Sequence, residues 1–154
     1  MGGLVSVAQV THDRRRLAVV TWIPRNERYR RQEVHAGCLQ HEWRFLERPV
    51  DGMSPKSRLV VGLAMWSDYD VEFFSKLLSS SLPDGFPLEV FDMDDVRTEA
   101  ELQQLIPGGR LPLRTPVLGV IRHGALIEQL EGEIVLAMSA DDLVRLLQSR
   151  FEGC

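Results

Sequence analysis

Apolar and alternating positions divide the second part of the chain into four predicted strands. The continuous apolar run 59–65 predicts a strand that is buried on both faces. Residues 87–92 predict a second strand, and residues 117–122 and 125–130 predict two more. The last two are separated only by His123-Gly124, which predicts a tight hairpin.

Three helices alternate with these strands. Residues 71–82, 99–106 and 140–151 place their apolar side chains at helical spacing. A serine or threonine followed three residues later by an acidic residue opens each helix, which predicts a capping box. The pairs are Ser67 with Asp70, Thr98 with Glu101, and Ser139 with Asp142. The order β-α-β-α-β-β-α predicts an α/β fold whose first two strands are parallel, because a helix connects them, and whose last two are antiparallel.

The first part of the chain has a less regular pattern. Residues 4–10 and 17–23 predict strands on either side of a polar loop. Residues 25–48 fit either one helix or further short strands. The strands are the preferred interpretation, because tryptophan and phenylalanine (Trp43 and Phe45 here) favour strands. We therefore expect this segment to be ordered and rich in β-structure.

Charge is distributed unevenly along the chain, although the formal net charge is only −4. Residues 1–58 carry 11 Lys/Arg and 6 Asp/Glu, whereas residues 59–154 carry 7 and 16. The turn-rich stretch 49–56 lies close to the point where the excess charge changes from positive to negative. These observations predict a basic N-terminal extension, residues 1–57, and an acidic domain, residues 58–154. We expect the extension to pack on the acidic domain, either its own or that of a second copy in a homodimer.

Composition indicates a cytoplasmic protein without a membrane segment. Apolar residues make up 44% and charged residues 26% of the chain, and no apolar run reaches the roughly 20 residues that a bilayer requires. The N-terminus lacks the pattern of a secretory signal. Cys38 and Cys154 are too far apart in sequence to suggest a disulfide framework.

Particular residues within the α/β pattern match motifs of a known family. Trp66 directly follows the first predicted strand, Thr115-Pro116 precedes the third, and Gly124 and Gly132 follow at the hairpin and after the last strand. With the element order, these residues resemble the thioredoxin family over about residues 58–150. The resemblance implies a thioredoxin-like three-layer α/β/α sandwich and a cis peptide bond between Thr115 and Pro116.

The motif after Trp66 departs from that family where redox chemistry would occur. Ser67 and Asp70 stand where the resemblance would place the two cysteines, and Val61 stands near the place of the family's buried carboxylate. Disulfide exchange requires a thiolate, so dithiol oxidoreductase activity is not expected. A serine and an aspartate without a histidine base make a poor nucleophilic site, and the two residues also fit a capping box. No catalytic residue and no cofactor are predicted.

The resemblance implies that the groove between the Trp66 loop and the Thr115-Pro116 loop can bind a protein without exchanging disulfides. The leading hypothesis is therefore a non-catalytic binding, assembly or chaperone-like protein. The predicted groove residues are Trp66, Ser67, Asp68, Tyr69, Asp70, Thr115 and Pro116. One alternative is a thioredoxin-superfamily enzyme of a type that does not use two cysteines.

Basic residues of the N-terminal extension suggest a second alternative, a nucleic-acid-binding module. The arginines that could contact an anion or a partner are Arg14, Arg15, Arg16, Arg28, Arg30 and Arg31. No recognised nucleic-acid-binding motif accompanies them, so a protein partner is preferred.

The remaining candidates for chemistry are histidines and a cysteine. His35, Cys38 and His41 do not have a usual metal-chelating spacing, and no fourth ligand is evident, so no metal site is predicted. His123 is expected to be an exposed turn residue.

Overall fold

A computed structural model of the chain describes residues 19–23, 31–40, 43–48, 53–79 and 87–151. The strands in these ranges are Val19–Trp22 (β1), Arg44–Glu47 (β2), Arg58–Leu63 (β3), Leu88–Asp92 (β4), Val117–Arg122 (β5) and Ala125–Glu131 (β6). The α-helices are Arg31–Gln40 (α1), Asp68–Ser79 (α2), Glu99–Gln103 (α3), Glu133–Leu136 (α4) and Ala140–Phe151 (α5). A 3-10 turn spans Met93–Asp95.

The strands form one mixed sheet in the order β2-β1-β4-β3-β5-β6. β2, β1, β4 and β3 are mutually parallel, whereas β5 is antiparallel to β3 and β6 is antiparallel to β5. The predicted α/β class, the parallel pair joined by a helix and the antiparallel hairpin are therefore confirmed.

Alternate residues of the central strands pack into two different hydrophobic clusters, because successive side chains in a strand point to opposite faces. Val61 of β3 belongs to the cluster that contains Phe73 of α2 and Leu143 of α5. Val60 belongs to the cluster that contains Phe91 and Leu102 of α3. Helices thus cover both faces of the sheet, and the Trp66 loop emerges at the carboxyl end of a strand that is buried throughout.

The described part of the N-terminal extension contributes two strands and one helix to this architecture. β1 pairs directly with β4, so residues on both sides of the predicted domain boundary share one sheet. The preferred interpretation of residues 25–48 as strands is correct for β2 but wrong for α1. Val34 and Cys38 lie one helical turn apart on α1 and are both buried. The cysteine acts here as a small apolar core residue. The strand predicted at residues 4–10 and its polar loop lie outside the described residues.

Local sequence signals set the hairpin and two helix starts as predicted. His123 and Gly124 have φ angles of 53° and 81°, the left-handed values that a type I′ turn requires. Thr98 Oγ1 accepts a hydrogen bond from the Glu101 main-chain N–H at 3.1 Å. At α5 the box is reciprocal: Ser139 Oγ accepts from Asp142 N at 3.1 Å, and Asp142 Oδ2 accepts from Ser139 N at 3.2 Å.

A buried cluster of charges connects the N-terminal extension to the sheet. The Glu89 carboxylate of β4 is 1% exposed and lies 3.0 Å from the Arg58 guanidinium, and it also pairs with Arg48. Arg48 and Arg58 further donate hydrogen bonds of 2.8 Å to Ser54 Oγ and the Pro55 carbonyl. The segment between β2 and β3 is therefore fixed by ionic contacts with a central strand.

Candidate functional site

A tight turn after β3 directs Trp66 away from the core. The Ser67 main-chain N–H donates to the Ala64 carbonyl at 2.9 Å, which closes the turn. Trp66 is 72% exposed, and its indole Nε1 donates to Asp94 Oδ1 at 3.2 Å. A large apolar ring is thus held at the surface by a contact with the 3-10 turn.

The buried carboxyl of Asp70 connects the Trp66 loop to the Thr115-Pro116 loop. Its Oδ2 accepts a hydrogen bond from the Ala64 main-chain N–H at 2.7 Å, and the residue is 1% exposed. Burial raises the pKa of Asp70, while hydrogen bonds from Ala64, Thr115 and Ser67 act in the opposite direction and the charge of Asp94 adds to the rise. Whereas Asp142 closes a reciprocal box with Ser139, this carboxyl joins the end of β3 to the loop before β5.

The loop before β5 forms the opposite wall. The peptide bond between Thr115 and Pro116 is cis, as the resemblance implies. The Pro116 carbonyl accepts from the Gly132 main-chain N–H at 2.9 Å. Gly132 has a φ of 62°, and a Cβ there would lie 2.9 Å from Arg114 Cβ, so the close packing behind this wall requires glycine. On the open side, Leu113 is 94% exposed.

The two loops enclose a groove of about 520 Å³. Of the predicted residues, those that line it are Trp66, Ser67, Tyr69, Asp70 and Thr115. Asp68 is exposed at the start of α2, and Pro116 is buried behind the wall. The groove is also lined by Ala64, Met93, Asp94, Pro112, Leu113, Arg114 and Leu136. Sequence reasoning missed most of these because they come from segments that the topology brings together, although Pro112, Leu113 and Arg114 directly precede the Thr-Pro motif.

Carboxylates dominate the charge of this groove. Asp70 and Asp94 line it, and the exposed Asp68 is next to Tyr69. The basic side chain of the lining, Arg114, is paired with Glu133 at 2.6 Å. The exposed carboxylates of Asp68 and Asp94 therefore give the groove an excess of negative charge.

A further buried carboxyl lies beneath the 3-10 turn. Asp92 is 2% exposed, its Oδ1 accepts from Asp94 N at 3.0 Å, and its Oδ2 has no hydrogen-bond partner within the described ranges. Burial raises the pKa of Asp92 to about 6; the hydrogen bond from Asp94 opposes this, and the charges of Asp95 and Asp94 add to it.

The other sequence candidates do not join the groove. Arg14, Arg15, Arg16, Arg28 and Arg30 lie outside the described residues, and Arg31 is part of α1. His123 is exposed at the hairpin tip, as expected.

The metal candidates are also separate from the groove. Cys38 is fully buried, and burial raises the pKa of its thiol to about 12. His41 is outside the described ranges, and no cluster of three His, Cys, Asp or Glu suited to a metal occurs among the residues that the structure describes.

The groove combines apolar side chains with polar and acidic ones in its lining. Its described lining contains exposed aromatic and aliphatic side chains, a serine, a threonine and carboxyls, but neither a histidine nor a cysteine. Within this described lining, Ser67 therefore has no histidine that could activate it as a nucleophile.

A comparison of the chain with protein-family models, with curated proteins and with solved structures finds no match. Among the described helices, none has the combination of length and apolar character needed to cross a membrane.

Proposed function

We propose that this chain is a thioredoxin-like protein without redox activity that binds an extended segment of a partner protein between Trp66 and Thr115. One observation carries the proposal: the two loops singled out by the family resemblance bound a single open groove of about 520 Å³. A protein that holds a partner in this way can act in assembly or as a chaperone.

The order of the elements supports the thioredoxin-like part of the proposal. The structure runs β3-α2-β4-α3-β5-β6, with the short α4 before α5, and thus contains the β-α-β-α-β-β-α order on which the resemblance rests. Helices lie on both faces of the sheet, as in a three-layer sandwich.

The replacement of the two cysteines supports a binding role. Asp70 stands at the second cysteine position, and its carboxyl is engaged by Ala64, Ser67 and Thr115. These contacts hold the two walls of the groove together without a thiol. A rigid groove loses less conformational freedom when a ligand binds, which favours affinity.

Main-chain groups beside the groove support an extended ligand. The N–H and C=O of Thr115 have no hydrogen-bond partner within the part of the chain that the structure describes. In the family that the chain resembles, a peptide is held by main-chain hydrogen bonds next to the cis-proline. A strand-like segment could pair with Thr115 while its side chains contact Trp66 and Leu113.

The alternative functions have weaker support. A reactive-cysteine enzyme would need an accessible thiolate, whereas Cys38 is buried and its pKa is raised to about 12. The groove itself is unsuited to nucleic acid, because the exposed carboxylates of Asp68 and Asp94 would repel phosphates there. The arginines that favour nucleic acid lie outside the described residues or, for Arg31, in α1.

Trp66 provides a direct test, because it is 72% exposed whereas Trp22 and Trp43 are 2% and 9% exposed. Quenching of tryptophan fluorescence by acrylamide therefore reports mainly on Trp66. Pools of extended peptides of about ten residues, long enough to cross a groove of this kind, should protect Trp66 from the quencher.

Two variants show whether protection occurs in the groove. Replacing both Tyr69 and Leu113 with alanine should weaken peptide binding at least tenfold, because both side chains are exposed and border the groove. Ile127→Ala, which removes a half-exposed side chain of β6, should leave binding unchanged. Failure of every pool to protect Trp66, or equal binding by both variants, would refute the proposed function.

A further inference from the structure

The groove combines exposed apolar side chains with uncompensated negative charge. Trp66, Tyr69 and Leu113 are 72%, 71% and 94% exposed, so they can lose contact with water when a ligand binds. The exposed carboxylates of Asp68 and Asp94 accompany them, whereas Asp70 is buried and hydrogen-bonded.

The charge of this surface is not balanced by its own cations. Arg114 of the lining is paired with Glu133 at 2.6 Å, so it does not neutralise Asp68 and Asp94. The Asp94 carboxylate accepts a hydrogen bond only from the neutral indole of Trp66 among the side chains that the structure describes. An acidic ligand would be repelled, whereas a basic one would be steered towards the groove.

We infer that the occupant of the groove is an extended segment of a partner protein in which lysine or arginine flanks an apolar side chain. This inference rests on the proposed function and adds the chemistry of the partner. The apolar side chain packs between Trp66 and Leu113, and the flanking cations lie next to Asp68 and Asp94. Main-chain groups of the segment pair with Thr115.

The chain's own basic N-terminus enters the fold at the opposite end of the sheet. β1 is parallel to β4 and β4 to β3, with Val20 beside Leu88 and Leu88 beside Leu59. Val19 therefore lies at the end where β3 begins, whereas the groove lies where β3 ends. This placement favours a separate partner over residues 1–18 as the occupant.

Three synthetic peptides of about ten residues test the inference, each with the same central apolar residues and with lysine, serine or glutamate on both sides. At about 0.05 M salt, the lysine-flanked peptide should bind the full chain at least tenfold more tightly than the glutamate-flanked peptide. This preference should shrink several-fold at about 0.5 M salt. Binding can be measured by protection of Trp66 fluorescence and by calorimetry.

Matched charge variants locate the preference. Replacing Asp68 and Asp94 with asparagine should reduce affinity for the lysine-flanked peptide several-fold and leave the serine-flanked peptide unaffected. Replacing Glu99 and Asp141 with glutamine and asparagine also removes two negative charges, but these exposed residues of α3 and α5 are not part of the groove lining, so this variant should change neither affinity.

Each contrary result has a distinct meaning. Tight binding of the serine-flanked peptide without any charge preference would overturn the inference and leave the proposed function intact, whereas no binding by any of the three peptides would overturn both. Dimerisation that Trp66→Ala abolishes would identify a second copy as the occupant and overturn it. If the chain's own basic segment occupies the groove, it competes with the peptide. Replacing Arg14, Arg15 and Arg16 with serine would then strengthen binding of the lysine-flanked peptide at least tenfold, and this result would overturn the inference.

Discussion

The indole Nε1 of Trp43 donates a buried hydrogen bond of 2.8 Å to the carbonyl oxygen of Leu78. Leu78 lies in the last turn of α2, where carbonyl groups have no partner within the helix. A residue of the N-terminal extension therefore completes the end of a helix that begins at the groove.

Trp43→Phe should destabilise the protein, because it keeps most of the ring but leaves the Leu78 carbonyl buried without a partner. The expected loss in the free energy of unfolding is about 1–3 kcal/mol, measured by urea denaturation. Trp66→Phe is the matched control; its ring is 72% exposed, so it should change stability by less than about 0.5 kcal/mol. Equal effects would show that Trp43 does not serve as a cap.

Glu89→Gln should have a larger effect, because it leaves Arg48 and Arg58 largely buried without their carboxylate. Breaking a buried ion pair in this way costs about 3–5 kcal/mol. Glu133→Gln, which disrupts the exposed pair with Arg114, is expected to cost less than about 1 kcal/mol. Urea denaturation of both variants provides the measurement, and a small effect at Glu89 would contradict a structural role for the cluster.

Asp92→Asn should change how stability depends on pH. A pKa of about 6 in the folded state lies above the ordinary value of 3.8, so the folded protein binds this proton more tightly than the unfolded chain. The resulting stabilisation is complete below about pH 4 and is lost as the pH rises through 6. Asparagine stays neutral and keeps an oxygen for Asp94 N, so it avoids that loss.

The stability of the Asp92→Asn variant relative to the wild type should therefore increase by up to about 3 kcal/mol between pH 4 and pH 7. Thermal unfolding across this range measures the difference, and Asp70, whose pKa is also raised, contributes equally to both proteins. Asp141→Asn, an exposed change in α5, should follow the wild-type profile. Parallel profiles for Asp92→Asn and the wild type would disprove the assignment.

Cys38 should be unreactive in the folded protein, because burial both blocks access and raises the pKa of its thiol to about 12. In a Cys154→Ser background, Ellman's reagent should label Cys38 only at the rate of unfolding. Disulfides of insulin should not be reduced, and Ser67→Ala should leave that result unchanged. Rapid labelling under native conditions would argue against the buried environment.

The order of elements in the second part of the chain was predictable, because the spacing of apolar residues and the positions of turn residues indicate the same strands and helices there. The hairpin at His123-Gly124 and the caps at Thr98 and Ser139 depend on neighbours in sequence, and local patterns are sufficient for such features. α1 was not predictable in this way. Its buried face includes Val34 and Cys38, which have low intrinsic helix propensity. Packing of these side chains into the core next to β1 stabilises the helix instead.

The groove was predictable only in part. Trp66 and Thr115 could be identified from motifs, whereas Met93, Asp94 and Leu136 reach it through tertiary packing. A polar pocket of Ser67, Asp70 and Thr115 was one interpretation of the sequence, but the capping pattern gave no sign that the carboxyl would reach the main-chain N–H of Ala64. The same pattern forms a local reciprocal box between Ser139 and Asp142. The tertiary environment therefore determines which N–H group donates to the aspartate in each case.

The position of β1 between β2 and β4 has a consequence for the order in which the molecule can assemble during synthesis. Val20 pairs on one side with Phe45, which the ribosome adds soon afterwards, and on the other with Leu88, which it adds much later. A growing chain can form the β1-α1-β2 unit early, but one edge of β1 stays unpaired until β4 has emerged. The pair of β1 and β4 has the largest separation in sequence among the described strand pairs, so β1 completes its pairing late. Such distant pairing favours slow folding.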